Sequence, residues 1–171
     1  MNKQETLRFL TDRGIRYELT EHPAVFNMAE LALADLPYPD RIAKNLFVRD
    51  DKKRNYSLIT VRGDKRVDLK AFRKAHGLRP LTFASGEELR DLLGLTPGEV
   101  TPLGILNCSS GNVTVYLDRA FLGGVMGVHP NDNTATVWLQ AEDLIRLALE
   151  RGVRVCTAAF GPEPSSGEAA E

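Results

Sequence analysis

An eleven-residue stretch rich in glycine and proline is the first feature of the chain that could do chemistry. Residues 94–104 are Gly-Leu-Thr-Pro-Gly-Glu-Val-Thr-Pro-Leu-Gly. Proline restricts the backbone and glycine allows another group to approach closely, so such a loop can present fixed backbone N–H donors to a small ligand. The same composition is also typical of an ordinary tight turn, and the loop by itself does not separate the two interpretations.

Three polar side chains elsewhere could act together with that loop. Lys44 and Asn45 lie in an apolar run, and His129 precedes a proline. A lysine ammonium can hold a phosphate or steady developing negative charge, an asparagine donates and accepts at once, and histidine is the usual general base near neutral pH. Each role has a structural alternative: Lys44 could reach solvent past its apolar neighbours, and His129 could cap a turn or shape a pocket.

Hydrophobic periodicity and capping signals predict the elements that position these groups. Two capping-box patterns, Asn2 with Glu5 and Ser85 with Glu88, predict helix starts, and Asp68 is a further predicted N-cap. The first helix ends at Gly14 and the third at Gly77. The remaining predicted helices cover residues 28–36 and 141–150. Alternating or apolar runs predict strands over residues 15–19, 41–48, 56–61, 81–84, 113–118, 125–128, 134–139 and, as an edge strand, 153–156.

The order of these elements predicts the fold class. Strands at 41–48 and 56–61 flank a polar connection and form a predicted antiparallel hairpin, and few βαβ crossovers are visible. We therefore expect an α/β (α+β) fold with a mixed, largely antiparallel sheet and helices packed around it. The length of 171 residues fits one domain, predicted over residues 1–160. The Pro, Gly, Ser and Glu composition predicts a disordered tail over residues 161–171.

Composition excludes several function classes. With 22 Lys+Arg against 23 Asp+Glu, no global field attracts a polyanion, so any contact with nucleic acid is local. Cys108 and Cys156 lie far apart and share no metal-type spacing with the histidines, which predicts core thiols and neither a zinc site nor a disulfide framework. No Walker-type loop, GxSxG elbow or HExxH helix is present, and no cofactor is predicted.

Two further expectations follow from charge and hydropathy. The most basic segment, residues 62–79, is interpreted as a solvated helix face in preference to a phosphate-binding strip. No apolar run reaches the length of a membrane span, so the sequence predicts a cytoplasmic protein without a membrane partner.

Three motifs in order resemble one family. The motifs are Ala-Lys-Asn-Leu-Phe at residues 43–47, the loop 94–104, and Gly-Val-His-Pro-Asn at residues 127–131. Together they resemble the YbaK/prolyl-tRNA editing domain family up to about residue 160. The resemblance implies a partly barrel-like mixed sheet and a free-standing deacylase that hydrolyses the ester of a wrongly charged tRNA. Lys44 followed by Asn45 resembles the branch that clears alanine from tRNA(Pro), whereas the branch that clears cysteine usually lacks the asparagine.

The resemblance also implies roles for individual residues. An aminoacyl ester is already activated, so a positioned water and donors for the oxyanion suffice without a covalent nucleophile. Loop amides, among them those of Gly98 and Gly104, would stabilise the oxyanion, with Lys44 as a charge nearby and Asn45 at the ribose or the substrate ammonium. Family members of this kind are thought to use a water held by backbone groups and the tRNA 2′-hydroxyl, which disfavours a general-base role for His129. His129 lines the site in either case. Further implied binding residues are Thr101, Pro102 and Asn131.

Selectivity would come from exclusion of proline. A synthetase pocket shaped for proline rejects the smaller alanine weakly, because missing methylenes change binding by only about 1–3 kcal/mol. A second sieve too small for proline then removes the error. Its predicted apolar lining is Phe26, Met28, Ile42 and Leu46.

The implied partners and the open alternatives complete the interpretation. The predicted partner is the acceptor end of tRNA(Pro), with prolyl-tRNA synthetase or a translation elongation factor as a transient second partner. A Cys-tRNA(Pro) deacylase of the same family and a non-catalytic module that binds tRNA ends or a synthetase remain alternatives, and serine is a further candidate substrate.

Overall fold

The computed structural model describes residues 1–32, 34–63, 65–108 and 111–161. Its α-helices are α1 (Lys3–Asp12), α2 (Met28–Leu31), α3 (Leu69–Ala75), α4 (Gly86–Leu93) and α5 (Ala141–Glu150). Three short 3₁₀ helices cover Pro39–Arg41, Pro102–Asn107 and Arg119–Phe121. No helix in these ranges is both long and apolar enough to cross a bilayer.

The helix starts confirm the predicted caps. Both capping boxes are formed, at Asn2 with Glu5 and at Ser85 with Glu88, and the Asp68 side chain accepts from the first turn of α3. Helix α2 is shorter than the predicted 28–36. It ends at Leu31 because the chain must turn there to bury Leu36 in the cluster that contains Leu31 and Trp138.

Eight strands in the described residues form two sheets. They are β1 (Tyr17–Glu21), β2 (Ala43–Asp50), β3 (Tyr56–Arg62), β4 (Leu81–Phe83), β5 (Val113–Asp118), β6 (Val125–Val128), β7 (Ala135–Gln140) and β8 (Arg154–Ala158). One sheet has the order β1-β7-β6 and the other β4-β2-β3-β5-β8. The β2–β3 hairpin is antiparallel as predicted, whereas β3–β5 and β5–β8 are parallel. The predicted mixed, largely antiparallel fold is confirmed, with β8 as an edge strand.

A single isolated backbone bridge joins the two sheets in the part of the chain that the structure describes. Ile42, just before β2, forms an isolated parallel bridge with Gly127 of β6. Gly127 has no room for a side chain, because a Cβ there would lie 2.4 Å from the Trp138 ring of the neighbouring strand. Over the described ranges the sheets do not close into a barrel, so the barrel-like part of the prediction is limited to this junction.

The two faces of the larger sheet carry different cores. The main core, which includes Leu58, Leu95 and Leu103, lies on the side of the glycine- and proline-rich loop. On the other side, Phe72 of α3 packs against a cluster that includes Ile59. The single domain over residues 1–160 stays a prediction, and residues 162–171 of the predicted tail lie outside the described residues.

Candidate functional site

A cavity of about 170 Å³ opens where β2 and β6 separate beyond the Ile42–Gly127 bridge. We call residues 94–104 the Gly/Pro loop and residues 22–31 the front segment, since these two stretches form opposite walls. The lining residues from β2 and its start are Ile42, Ala43, Lys44 and Asn45; from the Gly/Pro loop, Gly98 and Val100; from β6, β7 and their connection, Gly127, Val128, His129 and Thr136; and from the front segment, Val25, Phe26, Asn27, Met28 and Leu31.

Core residues fix the Gly/Pro loop at both ends. Gly94 ends α4 in the left-handed conformation, with φ of 67°. Leu95 is buried in the main core. Near the other end, the Thr101 hydroxyl donates to the carbonyl oxygen of His129 at 2.6 Å. The loop is therefore fixed in one conformation. A wall of a site that selects ligands by size requires such rigidity.

The backbone N–H groups of the Gly/Pro loop divide into two sets. Those of Glu99 and Gly104 donate within the loop, to the carbonyl oxygens of Thr96 and Thr101. Gly104 also packs deep in the core, where a Cβ would lie 2.7 Å from Leu95, so the structure removes it from the candidate oxyanion donors. Within the described ranges no acceptor is found for the N–H groups of the two loop residues that line the cavity, Gly98 and Val100.

Gly98 lies at the mouth of the cavity against Phe26. Its φ of +89° is a conformation that side-chain-bearing residues rarely adopt. A Cβ on Gly98 would lie 3.3 Å from the Phe26 ring. Glycine is thus needed here both for the backbone conformation and for the close approach of the front segment.

Asn45 joins the Gly/Pro loop to the sheet. Its amide nitrogen donates to the Val100 carbonyl at 3.2 Å, and its oxygen accepts from the Thr60 hydroxyl at 2.8 Å. Thr60 is fully buried, so this hydroxyl depends on Asn45 for a partner. One amide N–H and one oxygen lone pair of Asn45 remain for a ligand.

Lys44 lies next to Asn45 at the start of β2 and lines the cavity. Its ammonium donates to the carbonyl oxygen of Lys65. Lys65 itself pairs with the buried carboxylate of Asp118 at 2.9 Å. No carboxylate in the described residues pairs with Lys44, so two of its three N–H donors and its full charge are available.

His129 presents a neutral imidazole to the cavity. Its Nδ1 lies 2.9 Å from the Ala135 carbonyl oxygen. Because a carbonyl can only accept, Nδ1 carries the proton and Nε2 offers a lone pair in the neutral ring. Burial lowers the pKa of His129, while the hydrogen bond to the Ala135 carbonyl raises it in part. These surroundings therefore favour the neutral His129 ring, which can act as a base or as a hydrogen-bond acceptor, over the cationic form.

The front segment is held to the β6–β7 connection by its own backbone. The N–H of Val25 donates to Asn133, whose side-chain amide donates back to the Val25 carbonyl at 2.7 Å. Phe26 follows with 64% of its surface exposed, so it lies at the rim of the cavity and not in its interior. Met28 and the buried Ile42 line the apolar part, as predicted.

Several predicted binding residues lie outside the cavity. Leu46 packs with the cluster on the other face of the sheet. Thr101 and Pro102 are buried, with Thr101 bound to His129. Asn131 adopts a φ of 59° and donates to Met1 and Thr6, so it fixes the N-terminus. These side chains support the site and do not line it.

Sequence reasoning did not single out several lining residues of different kinds. Val25 and Leu31 are apolar residues of the front segment, and nothing in the local pattern marks them as inward-facing. Gly127 was visible as a glycine in a strand, which signals a close approach. Thr136 was visible as a polar residue inside an apolar strand, yet it is 1% exposed.

Taken together, the fold and cavity define a class of protein: a mixed α+β chain whose small site offers loop amides, an ammonium and a neutral imidazole to a reactive carbonyl. Among the described residues no cluster of three or more metal-ligating side chains is found.

Known proteins match this chain over most of its length. The model of the aminoacyl-tRNA editing domain family matches residues 22–147. The prolyl-tRNA editing protein ProX of Acetoanaerobium sticklandii is 39% identical over 151 residues, which cover 88% of this chain and 92% of that protein. The mouse prolyl-tRNA synthetase associated domain-containing protein 1 is 36% identical, over 77% of this chain and 80% of the relative.

A solved structure shares the fold. It is described as that of a candidate trans-editing enzyme for prolyl tRNA synthetase and superposes with a TM-score of 0.69 at 25% identity, covering 95% of this chain and 98% of its own. The chain belongs to the aminoacyl-tRNA editing domain family, which confirms the resemblance seen in the sequence. It is an aminoacyl-tRNA deacylase, a hydrolase that cleaves the ester of a mischarged tRNA.

Proposed function

We propose that this chain acts in trans on mischarged tRNA(Pro) and hydrolyses its alanyl ester. Two relatives are named for prolyl-tRNA editing or for association with prolyl-tRNA synthetase, which supports tRNA(Pro) as the carrier. The choice of alanine is supported by Asn45, because Lys44 followed by Asn45 resembles the alanine-clearing branch of the family, and the Asn45 side chain is held by hydrogen bonds to Val100 and Thr60. A sieve that selects by size needs walls that do not yield, and Asn45 fixes the wall formed by the Gly/Pro loop.

Hydrolysis begins with attack of water on the ester carbonyl. The carbonyl oxygen becomes an oxyanion, and the N–H groups of Gly98 and Val100 are the donors that can stabilise it. Lys44 also lines the cavity, and its ammonium is the proposed source of positive charge for the oxyanion. Each donor is worth most where water is excluded, because the effective dielectric is low there.

Proton transfer then completes the reaction. The attacking water loses a proton, and the departing ribose 3′-oxygen gains one, so the products are the free amino acid and an intact tRNA end. The proton-free Nε2 of His129 can accept a hydrogen bond from the water or from the neighbouring 2′-hydroxyl. Its role is to orient either group, with the 2′-hydroxyl able to relay the proton to the leaving oxygen.

The rim of the cavity suits the terminal adenosine. The exposed ring of Phe26 stands beside Gly98, where the ester must enter. Bases of single-stranded RNA ends stack on exposed aromatic rings. Phe26 is therefore proposed as a stacking platform for the last base and not as part of the amino-acid sieve.

The apolar interior accounts for discrimination by size. Val25, Leu31, Ile42 and Val128 surround a narrow space next to the catalytic groups. This space is proposed to accept a methyl side chain and to exclude a pyrrolidine ring, because close-packed apolar walls resist displacement. The cysteine-clearing branch of the family is the alternative, and serine is a further candidate.

The test is a comparison of substrates. We expect the purified protein to release alanine from tRNA(Pro) faster than cysteine, and to leave prolyl-tRNA(Pro) intact, when hydrolysis is followed by loss of labelled amino acid. Preference for the cysteinyl ester would assign the chain to the other branch. Equal hydrolysis of the alanyl and prolyl esters, or hydrolysis of neither, contradicts the proposal.

Synthetase and elongation factor remain proposed transient partners. The mouse relative is named for its association with prolyl-tRNA synthetase, which supports that partner over a factor of unrelated function. The nearly balanced charge of the chain suits a transient encounter, because no strong field holds it on tRNA.

A further inference from the structure

Thr136 is a buried hydroxyl in the cavity wall that the chemistry above does not use. It lies in β7, is 1% exposed and lines the cavity. His22, at the start of the front segment, contacts its Oγ1 through Nε2 at 2.9 Å. The His129 ring bonds the carbonyl of Ala135, the residue just before Thr136, and lies 6.2 Å from the His22 ring. The two imidazoles and the hydroxyl thus form one cluster.

The hydrogen-bond partners fix the direction of each proton in this cluster. Nδ1 of His22 lies 3.0 Å from the carbonyl oxygen of Pro23, which can only accept. In the neutral ring Nδ1 therefore carries the proton, and Nε2 accepts. The Thr136 hydroxyl must then donate its single proton to His22. The two lone pairs of its oxygen remain, and they can only accept.

The substrate carries one group that requires such an acceptor. Every aminoacyl ester presents an α-ammonium, which can only donate. Lys44 and the N–H groups of the Gly/Pro loop are donors and do not bind an ammonium, whereas the Thr136 cluster supplies acceptors. Donors and acceptors that line the same cavity can orient a ligand that has a carbonyl at one end and an ammonium at the other.

We propose that Thr136 binds the α-ammonium of the aminoacyl ester, with His22 as the positioning residue that keeps the Thr136 hydroxyl in its accepting orientation. This inference rests on the proposed function and adds a subsite to it. With this subsite the enzyme recognises the α-amino group of the substrate as well as the size of its side chain. Thr136 then sets which face of the ester carbonyl meets the loop amides.

A matched pair of substrates isolates the subsite. Nitrous acid converts alanyl-tRNA to lactyl-tRNA, which replaces the ammonium by a neutral hydroxyl of similar size. Rates are divided by the spontaneous hydrolysis rate of each ester, because the ammonium also activates the carbonyl. Wild-type protein and the variants Thr136→Val and Thr136→Ser are compared on both substrates, and valine preserves shape and strand propensity.

For Thr136→Val we expect kcat/KM on alanyl-tRNA to fall roughly 10- to 100-fold, the range for a hydrogen bond to a charged group. The loss should lie mostly in KM, lactyl-tRNA should change by less than about threefold because it lacks the charge, and Thr136→Ser should restore the alanyl rate. His22→Phe, which removes the acceptor for the hydroxyl proton, should lower the alanyl-to-lactyl ratio about three- to tenfold. Equal losses on both substrates, or no loss on the alanyl ester, would overturn the inference while leaving the proposed function intact.

A binding measurement keeps the subsite testable without turnover. Adenosine carrying a 3′-alanylamido group is compared by calorimetry with its 3′-propionylamido analogue, which lacks only the ammonium. We expect wild-type protein to prefer the alanylamido compound and Thr136→Val to lose that preference. Equal affinity of wild-type protein for the two compounds, or no binding of either, contradicts the ammonium subsite whatever the deacylase assay shows.

Discussion

The two walls of the cavity are built in different ways. The Gly/Pro loop is anchored by side chains of the core: Leu95 packs inside, Asn45 bonds Val100 and Thr101 bonds His129. The front segment is anchored by backbone hydrogen bonds to the β6–β7 connection and by Val25 and Leu31, which pack in the smaller cluster with Trp138, and it ends in a helix of only four residues. Its Phe26 is largely exposed, whereas no lining side chain of the loop is.

Because the two walls are built differently, we assign them different roles. The Gly/Pro loop and the neighbouring β2 carry the groups that act on the carbonyl, and those groups must be held within a fraction of an ångström. The front segment presents apolar surface to the tRNA end and tolerates change at its rim. Changes at the loop wall should therefore alter turnover and selectivity, whereas changes at the front rim should alter substrate affinity.

Removal of the Lys44 ammonium gives the largest expected effect on activity. We expect Lys44→Ala to lower kcat on alanyl-tRNA(Pro) about 100- to 1000-fold, as for loss of one group that stabilises an oxyanion. Single-turnover hydrolysis measures it. Lys70→Ala, on exposed helix α3, removes the same charge away from the cavity and should retain activity. If Lys44→Ala turns over at the wild-type rate, Lys44 takes no part in the chemistry. A wild-type protein that binds the tRNA end without turnover would instead favour the non-catalytic module.

Removal of the Asn45 side chain, which holds the Gly/Pro loop, should give the next largest effect. In Asn45→Ala the buried Thr60 hydroxyl loses its partner, so we expect a loss of about 1–3 kcal/mol in the free energy of unfolding. The freed loop should also admit larger substrates, so the ratio of alanyl to prolyl hydrolysis should fall. Asn55→Ala removes an amide bound to Asp50 at the far turn of the hairpin and should leave that ratio unchanged. A loss of stability with unaltered selectivity would show that the loop is not the sieve.

The rim should give the smallest effect. We expect Phe26→Ala to raise KM about five- to tenfold through lost base stacking, with kcat nearly constant. Thermal stability should hold, because the ring is 64% exposed. Phe83→Ala, which removes a ring that is 58% exposed on β4, is the matched control and should leave KM unchanged. Equal changes in KM for the two variants would remove the distinction between the walls.

Local chemistry made much of the fold predictable. Capping boxes at Asn2 and Ser85 and the β2–β3 hairpin follow from residues that are close in sequence. The parallel pairing of β3, β5 and β8 does not, because it joins segments more than 35 residues apart whose patterns carry no partner information. The early end of α2 likewise depends on burial of Leu36 against Trp138, a contact across the fold.

Part of the cavity lining could be singled out from the three motifs together. Lys44, Asn45, Gly98 and His129 all line the cavity, whereas their catalytic and binding roles stay predictions. Leu46 was misplaced since a strand sends successive side chains to opposite faces, and the sequence does not say which face meets the cavity. The proposed role of Thr136 could not be predicted, because it depends on the contact with His22, which lies 114 residues away along the chain.

The single bridge between Ile42 and Gly127 turns the cavity into a wedge, with its vertex at the bridge and its sides diverging along β2 and β6. A wedge converts size into depth. We expect a small side chain to enter far enough for the ester carbonyl to meet the loop amides near the mouth, while a bulkier side chain holds its carbonyl out of register with them. A correctly charged tRNA would then be a weak competitor and not a substrate, so fidelity would be enforced by position along the wedge and not by refusal to bind.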